Sequence, residues 1–185
     1  MKILHKICFV LLMTTFPSVY GGDYLDVGCF DVDGCRVQAE QGVAKSQYNL
    51  GNKYYNGEGV VQDYKEAVKW FRKSAEQGDS LAQSYLGWMY GKGEGVIQDY
   101  KEAVKWYRKS AEQGDSLAQY NLGYMHAQGQ GVPQDYVMAH VYWNIASVSG
   151  YENAITNRGV IEESMTPSQI AEAQKLAREW MQKHQ

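Results

Sequence analysis

Beyond residue 21, the side chains with the clearest chemical capacity are His126, His140, His184, Cys29 and Cys35. Their spacing does not assemble a reaction centre. No two histidines stand at His-x-x-x-His or His-Glu-x-x-His spacing, so no helix face offers a zinc pair. No Gly-x-Ser-x-Gly elbow or Ser-x-x-Lys pair is present to activate a serine. Cys29, Asp31, Asp33, Gly34 and Glu40 fall on positions one, three, five, six and twelve of a calcium loop. Position one needs a carboxylate oxygen, however, and 21–27 makes a poor leading helix, so the register carries no calcium site. Gly57-x-Gly59 and Gly93-x-Gly95 lack the third glycine of a dinucleotide loop and the Gly-Lys-Ser/Thr ending of a phosphate loop. Asp63, Asp99 and Asp135 recur at one period, as helix caps would and catalytic acids would not. The expectation is a non-enzymatic chain with no cofactor and no metal. The chemistry left is oxidation of Cys29 and Cys35, whose five intervening residues can close a small disulfide loop.

The elements that would position these residues come from a phrase written three times. Residues 39–74, 75–110 and 111–146 share a 36-residue pattern containing AEQG, LG, a glycine loop and QDY. A fixed period in this range is the sequence sign of a solenoid, in which each unit buries its apolar face against its neighbours. In the middle unit Asp79 should cap a first helix carrying Ala82, Leu86, Gly87 and Tyr90 on one stripe, with Gly91 and Gly93 stopping it. Val96 should tuck back into the core. Asp99, with Glu102 three residues on, reads as a capping box for a second helix burying Tyr100, Ala103, Val104, Trp106 and Tyr107, which Gly114 ends. Gly87 and Ala103 should let the two backbones approach closely. His126 fills a slot held elsewhere by Tyr54 and Tyr90, which points to packing.

Ala82, Leu86-Gly87, Tyr90, Gly93-x-Gly95-Val96, Asp99, Ala103, Trp106, Ala111 and Gly114 together resemble the Sel-1-like repeat, a relative of the tetratricopeptide repeat. Departures are Ser46, where the other units have Ala82 and Ala118, and His126. The resemblance implies an all-α fold, a right-handed α-solenoid of helix-turn-helix repeats acting as an adaptor, and for exported bacterial members a cell-envelope or host-contact role. Cysteine-rich secreted relatives have been discussed as penicillin-binding or β-lactamase-like. They carry a cysteine pair in each repeat, which this chain does not, so a peptidoglycan-binding or β-lactamase-like cell-wall protein stands as the alternative function.

The ends read differently. Lys2 and Lys6, the apolar run Ile7–Met13, Pro17, and small residues at Val19 and Gly21 form a secretory signal peptide over 1–21, cut after Gly21. The run is far below the ~20 residues of a membrane span. Cleavage removes two lysines and takes the formal charge from −3 to −5. That mildly acidic balance, with no basic cluster, excludes nucleic acid and anionic membrane surfaces as expected partners. Residues 22–38 form a cysteine-containing segment, in which the glycines and aspartates ahead of Cys35 oppose a long helix. Residues 39–146 hold three repeats, and 147–185 a partial fourth, with Gly159 matching Gly123, followed by a capping helix that opens Thr166-Pro167-Ser168-Gln169. Periplasmic or secreted localisation follows, and the chain is expected to be a monomer.

Similarity to tetratricopeptide folds places exposed concave positions three before, one after, four after and five after the packing glycine. These are Tyr48, Asn52, Tyr55 and Asn56 around Gly51; Ser84, Trp88, Gly91 and Lys92 around Gly87; and Tyr120, Tyr124, Ala127 and Gln128 around Gly123. Between otherwise near-identical units this set varies. Its aromatic and amide composition suits an extended peptide, so the expected partner is a protein or peptide held in this groove.

Overall fold

The computed structural model describes Cys29 and residues 31–184; the signal-peptide reading lies outside them. Among the described residues every regular element is a helix, joined by short loops. Three hairpins stack in series: α2 (Ala44–Asn56) with α3 (Tyr64–Glu76), α4 (Ser80–Lys92) with α5 (Tyr100–Glu112), and α6 (Ser116–Gln128) with α7 (Tyr136–Val148). Ahead of them stands α1 (Val32–Glu40), and after them α8 (Glu152–Glu162) and α9 (Pro167–Lys183). α4 meets α6 directly, and no pair of second helices approaches to that degree, which sets the first helices inside the curve.

Local sequence explains the boundaries. Asp79 and Asp115 accept hydrogen bonds from Ala82 N and Ala118 N, and Gly57, Gly93 and Gly129 end the first helices in the left-handed region that glycine adopts freely. Gly91 does not stop its helix; it lies inside α4, where an added Cβ would stand 3.8 Å from Ala103 Cβ. Asp63 and Asp99 each accept two backbone N–H groups from the first turn of the second helix. The expected reciprocal half of the box is absent at Asp99. Its own N–H donates to Tyr90 O, and the Glu102 carboxylate turns to Lys105 instead. A complete capping box forms at Thr166 and Gln169.

The packing glycine works otherwise than expected. A Cβ on Gly87 would stand 2.6 Å from the Tyr107 ring, so the glycine seats a buried ring and not the backbone near Ala103. Gly51 seats Phe71 and Gly123 seats Trp143 in the same way. A second use of glycine joins the units. Gly95, at φ 72°, and Gly131, at φ 74°, bring the loop against Tyr64 O and Tyr100 O of the preceding second helix, where a Cβ would lie 2.3 Å from the carbonyl oxygen.

Hydrogen bonds repeat at the same interval. Gln47 and Gln83 donate from Nε2 to Ala39 O and Ala75 O, and accept at Oε1 from Gln77 and Gln113. Ser74 and Ser110 donate to Ala44 O and Ser80 O. Arg36 and Arg72 donate to Tyr54 and Tyr90 hydroxyls. α1 takes part in this wiring: it packs on α2 as α3 packs on α4, and Cys35, fully buried, stands 36 residues before Phe71. Ahead of Cys35 the helix extends only to Val32, and 32–40 is a nine-residue helix with Cys35 inside it. Asp31 caps it through Gly34 N, and the Cys29–Cys35 disulfide anchors its start.

The carboxy-terminal end closes differently. α8 takes the place of a fourth first helix, yet Gly159 is exposed with nothing over it. α9 packs along α7 and does not pair with α8 as α3 pairs with α2. Ala154, Ile161, Ala173 and Ala177 complete that core around Trp143.

Candidate functional groove

The inner face is lined by side chains of α2, α4, α6 and α8, with rings of α5 and α7 reaching in between them, and it carries three recesses in series. The first, about 260 Å³, is walled by Tyr55, Ser84, Tyr85, Trp88, Leu117 and Asn121. The second, about 210 Å³, shares Trp88 and Asn121 and adds Gly91, Lys92, Gln98, Tyr100, Tyr107, Tyr124, Met125 and Gln130. The third, about 240 Å³, shares Tyr124 and adds Ala127, Gln128, Tyr136, Trp143, Asn157, Val160 and Ile161. Trp88 and Tyr124 are therefore partitions between neighbouring recesses. They are 37% and 44% exposed, although each has an apolar ring that burial would favour. Lys92 Nζ sits 4.7 Å from the Trp88 ring centroid and holds that indole by a cation–π contact.

The twelve expected positions divide by depth, and each depth draws on more than one unit. Trp88, Lys92, Tyr124, Gln128 and Asn56 are exposed, as a contact surface requires, and Asn56 donates to Glu58. Tyr48, Tyr55 and Tyr120 are half-buried, not exposed, because each ring is already used in the stack. Tyr48 packs against Phe71 and Tyr85, and Tyr55 against Tyr64 and Tyr85, with its hydroxyl donating to Glu94 Oε2 at 3.2 Å. Tyr120 packs against Trp143 and Tyr151, while its hydroxyl accepts from Asn157. Burial pushes the Tyr48 and Tyr55 phenols above the usual tyrosine value, so both stay neutral donors. Asn52 is half-buried, and its Oδ1 has no partner among the described residues. Gly91 is half-buried. Ser84 and Ala127, expected on the open face, are buried at 3% and 5% exposure. A short side chain at either place lies below the rims of its larger neighbours, and so forms a floor.

The four-slot pattern overlooked the position two before the packing glycine. There Tyr85 and Asn121 wall the first recess, and Asn49 lies at the same place in the first hairpin. The signal was available, since 49, 85 and 121 vary as 48, 84 and 120 do. Among the described residues that line the groove, no nucleophile stands beside a histidine base. His126 is buried against the Tyr142 ring, centroids 5.6 Å apart, and burial lowers its pKa below the usual histidine value. His140 is buried and bonded to Glu162 Oε1 at 2.8 Å across α7 and α8. Among the described residues no helix is long and apolar enough to cross a membrane.

Comparison with known proteins gives a consistent picture. The Sel1 repeat family model matches residues 44–79, 80–115 and 116–150. The structure is similar to a protective antigen with an SLR fold from uropathogenic Escherichia coli, with 42% identity and a TM-score of 0.69. That match covers 71% of this chain, which spans 29% of the antigen's length. A Sel1 repeat protein from Oxalobacter formigenes matches at 36% identity and TM-score 0.63, covering 70% of this chain and 97% of that one. Helicobacter pylori cysteine rich protein B shares the fold at 20% identity and TM-score 0.55, over 69% of this chain and 96% of that protein. No curated protein matches the chain.

Proposed function

The chain belongs to the Sel1 repeat family, and from that premise we propose that it is an exported protein-interaction module that holds an extended peptide or protein segment along its inner face. Members of the family serve as protein-interaction modules. The observation that carries the reading is the row of three recesses separated by the exposed rings of Trp88 and Tyr124. Each is smaller than the ~300–1,000 Å³ of a small-molecule pocket. Three in line suit successive side chains of one strand. Rigid aromatic walls already fixed by neighbours lose little entropy on binding. The Cys29–Cys35 disulfide and the Lys2–Gly21 pattern support export to the periplasm or beyond.

The test is affinity capture from an envelope extract followed by mass spectrometry, using wild type, Trp88→Ala/Tyr124→Ala, and a control at exposed Lys65 and Lys101 on the second helices. The groove variant should keep its melting temperature and lose partners that wild type and control retain. A single aromatic anchor contributes about 2 kcal/mol or more to binding, so a clear loss is expected. Retention by the groove variant with loss by the control would place the site on the outer face. Sedimentation with purified peptidoglycan, and no protein partner, would replace the peptide reading with a glycan one.

A further inference from the structure

The first recess lies where one unit carries a small residue at a position that the units on either side fill with a ring. Three residues before the packing glycine stand Tyr48, Ser84 and Tyr120. Tyr48 covers Phe71 and Tyr120 covers Trp143, the rings seated on Gly51 and Gly123. The corresponding ring seated on Gly87 is Tyr107, which lines the neighbouring second recess, while the residue at the Tyr48 and Tyr120 position is Ser84, whose small side chain lines the first. The space is not collapsed. Tyr85 is stacked on Phe71 at 5.0 Å and edge-on to Tyr55 at 5.9 Å, so that wall is fixed from behind. At the floor Ser84 is 3% exposed, and its Oγ has no hydrogen-bond partner among the described residues. An unpaired hydroxyl in an apolar enclosure is a deficit that a ligand can remove.

Resting on the groove reading above, we propose that the Ser84 recess is a specificity site for a tyrosine side chain of the bound segment. Entering from solvent, the guest phenol would lie among Tyr55, Tyr85, Trp88 and Leu117, and Ser84, whose Oγ is turned away from solvent, would rotate about χ1 to meet its hydroxyl. The serine can donate to it or accept from it. Phenylalanine would fill the same volume and leave Ser84 unpaired, so the site discriminates tyrosine from phenylalanine by one buried hydrogen bond. The partner thus replaces the ring that the second hairpin lacks.

A phage-displayed random dodecapeptide library, panned on immobilised wild type, provides the probes. Wild type should enrich peptides with a tyrosine at a fixed position, and their phenylalanine versions should bind roughly fivefold more weakly. Ser84→Tyr restores the ring found in the neighbouring units. It should melt as wild type does and bind the selected peptides at least about tenfold more weakly. Ser84→Ala leaves the recess open but removes the hydroxyl, and should bring tyrosine and phenylalanine versions to parity. Enriched peptides without a fixed tyrosine, or no enrichment at all, would overturn the proposal, as would undiminished binding by Ser84→Tyr or a tyrosine preference that survives Ser84→Ala. The groove reading is judged separately by Trp88→Ala/Tyr124→Ala. Peptides that need these rings but ignore Ser84 sink only the tyrosine site, whereas peptides indifferent to all three positions sink both.

Discussion

At the amino-terminal end, α1 presents Ala39 O to Gln47 and Arg36 to Tyr54, the same bonds that α3 offers α4. At the carboxy-terminal end the wiring stops. Gln119 still donates to Ala111 O, but its Oε1 has no partner among the described residues, because Ser149 stands where Gln77 and Gln113 supply a donor. His126 replaces the tyrosine that would face Arg108, and Ala146 replaces Ser74 and Ser110. Other bonds take over there: Trp143 Nε1 to Tyr120 O, Asn157 to the Tyr120 hydroxyl, and His140 to Glu162. The first end continues the repeat with half a unit and a disulfide. The other abandons it for a helix laid along α7. The two amide and hydroxyl rungs lost here lie inside the third hairpin, where Ser149 and Ala146 lack the donors of Gln77, Gln113, Ser74 and Ser110; across α5 and α6 the Gln119 bond persists and only the Arg108 rung goes, with the change to His126.

If like-on-like interfaces carry the fold, emptying one should cost most. Trp106 is 7% exposed in the core between the first and second hairpins. Trp106→Ala should destabilise by roughly 3–5 kcal/mol. Trp180, half-buried on the cap and stacked on His184, should cost only about 1 kcal/mol when truncated. Urea unfolding of both variants checks the ranking, and equal losses would erase the contrast between interior and cap.

The loop glycines sharpen it further. Gly95→Ala puts a methyl group against Tyr64 O in a left-handed backbone, and should destabilise by roughly 3 kcal/mol. Gly59 shares the conformation but faces only the Val32 side chain of α1, at 2.9 Å. There a side chain can yield, so Gly59→Ala should cost about 1–2 kcal/mol. Thermal melts of the two proteins in parallel decide whether the α1 junction is the more forgiving one.

Much of this was legible in the sequence. The period yielded the hairpins, and the residue types yielded the aspartate caps, the glycine ends and the cysteine pair. The half-unit at the start was written too: AEQG recurs at 39, 75 and 111, and Arg36 anticipates Arg72 and Arg108. It was obscured because Cys35 stands where the other units have a large ring. Depth within the groove was harder to read. Whether Tyr48 is a contact or a core residue depends on Tyr85, a residue of the next unit, and a pattern confined to one repeat does not contain that neighbour. The path of α9 depends likewise on how α7 and α8 leave their faces exposed.

A gain should accompany repair of the broken ladder. Ser149 has φ −81° and ψ 9°, close to Gln113 at −92° and 6°, and it lines a recess of about 330 Å³ with Gln119. Ser149→Gln can therefore extend toward Gln119 Oε1 as Gln113 extends toward Gln83. One restored buried bond should add about 0.5–1.5 kcal/mol, read as a higher urea midpoint at unchanged slope. No gain would mean that the ladder contributes nothing beyond the packing around it.

The smallest effect concerns His126. It is 8% exposed, and neither ring nitrogen has a partner among the described residues. Burial, reinforced by the positive charge of Arg108 and opposed by Asp135, lowers its pKa in the folded state below the ordinary 6.5. The unfolded chain then binds the proton more readily than the native one. The contribution to stability is complete above about pH 6.5 and is lost as the pH falls from there through the lower folded value. His126→Tyr removes this titration and returns to the Tyr54 and Tyr90 pattern, with Arg108 placed as Arg36 and Arg72 are. Melting temperatures measured from pH 8 to pH 5 should fall more steeply for wild type than for His126→Tyr. Parallel curves would mean that protonated His126 is accommodated at no cost, and that the third hairpin tolerates its missing rung without becoming sensitive to acid.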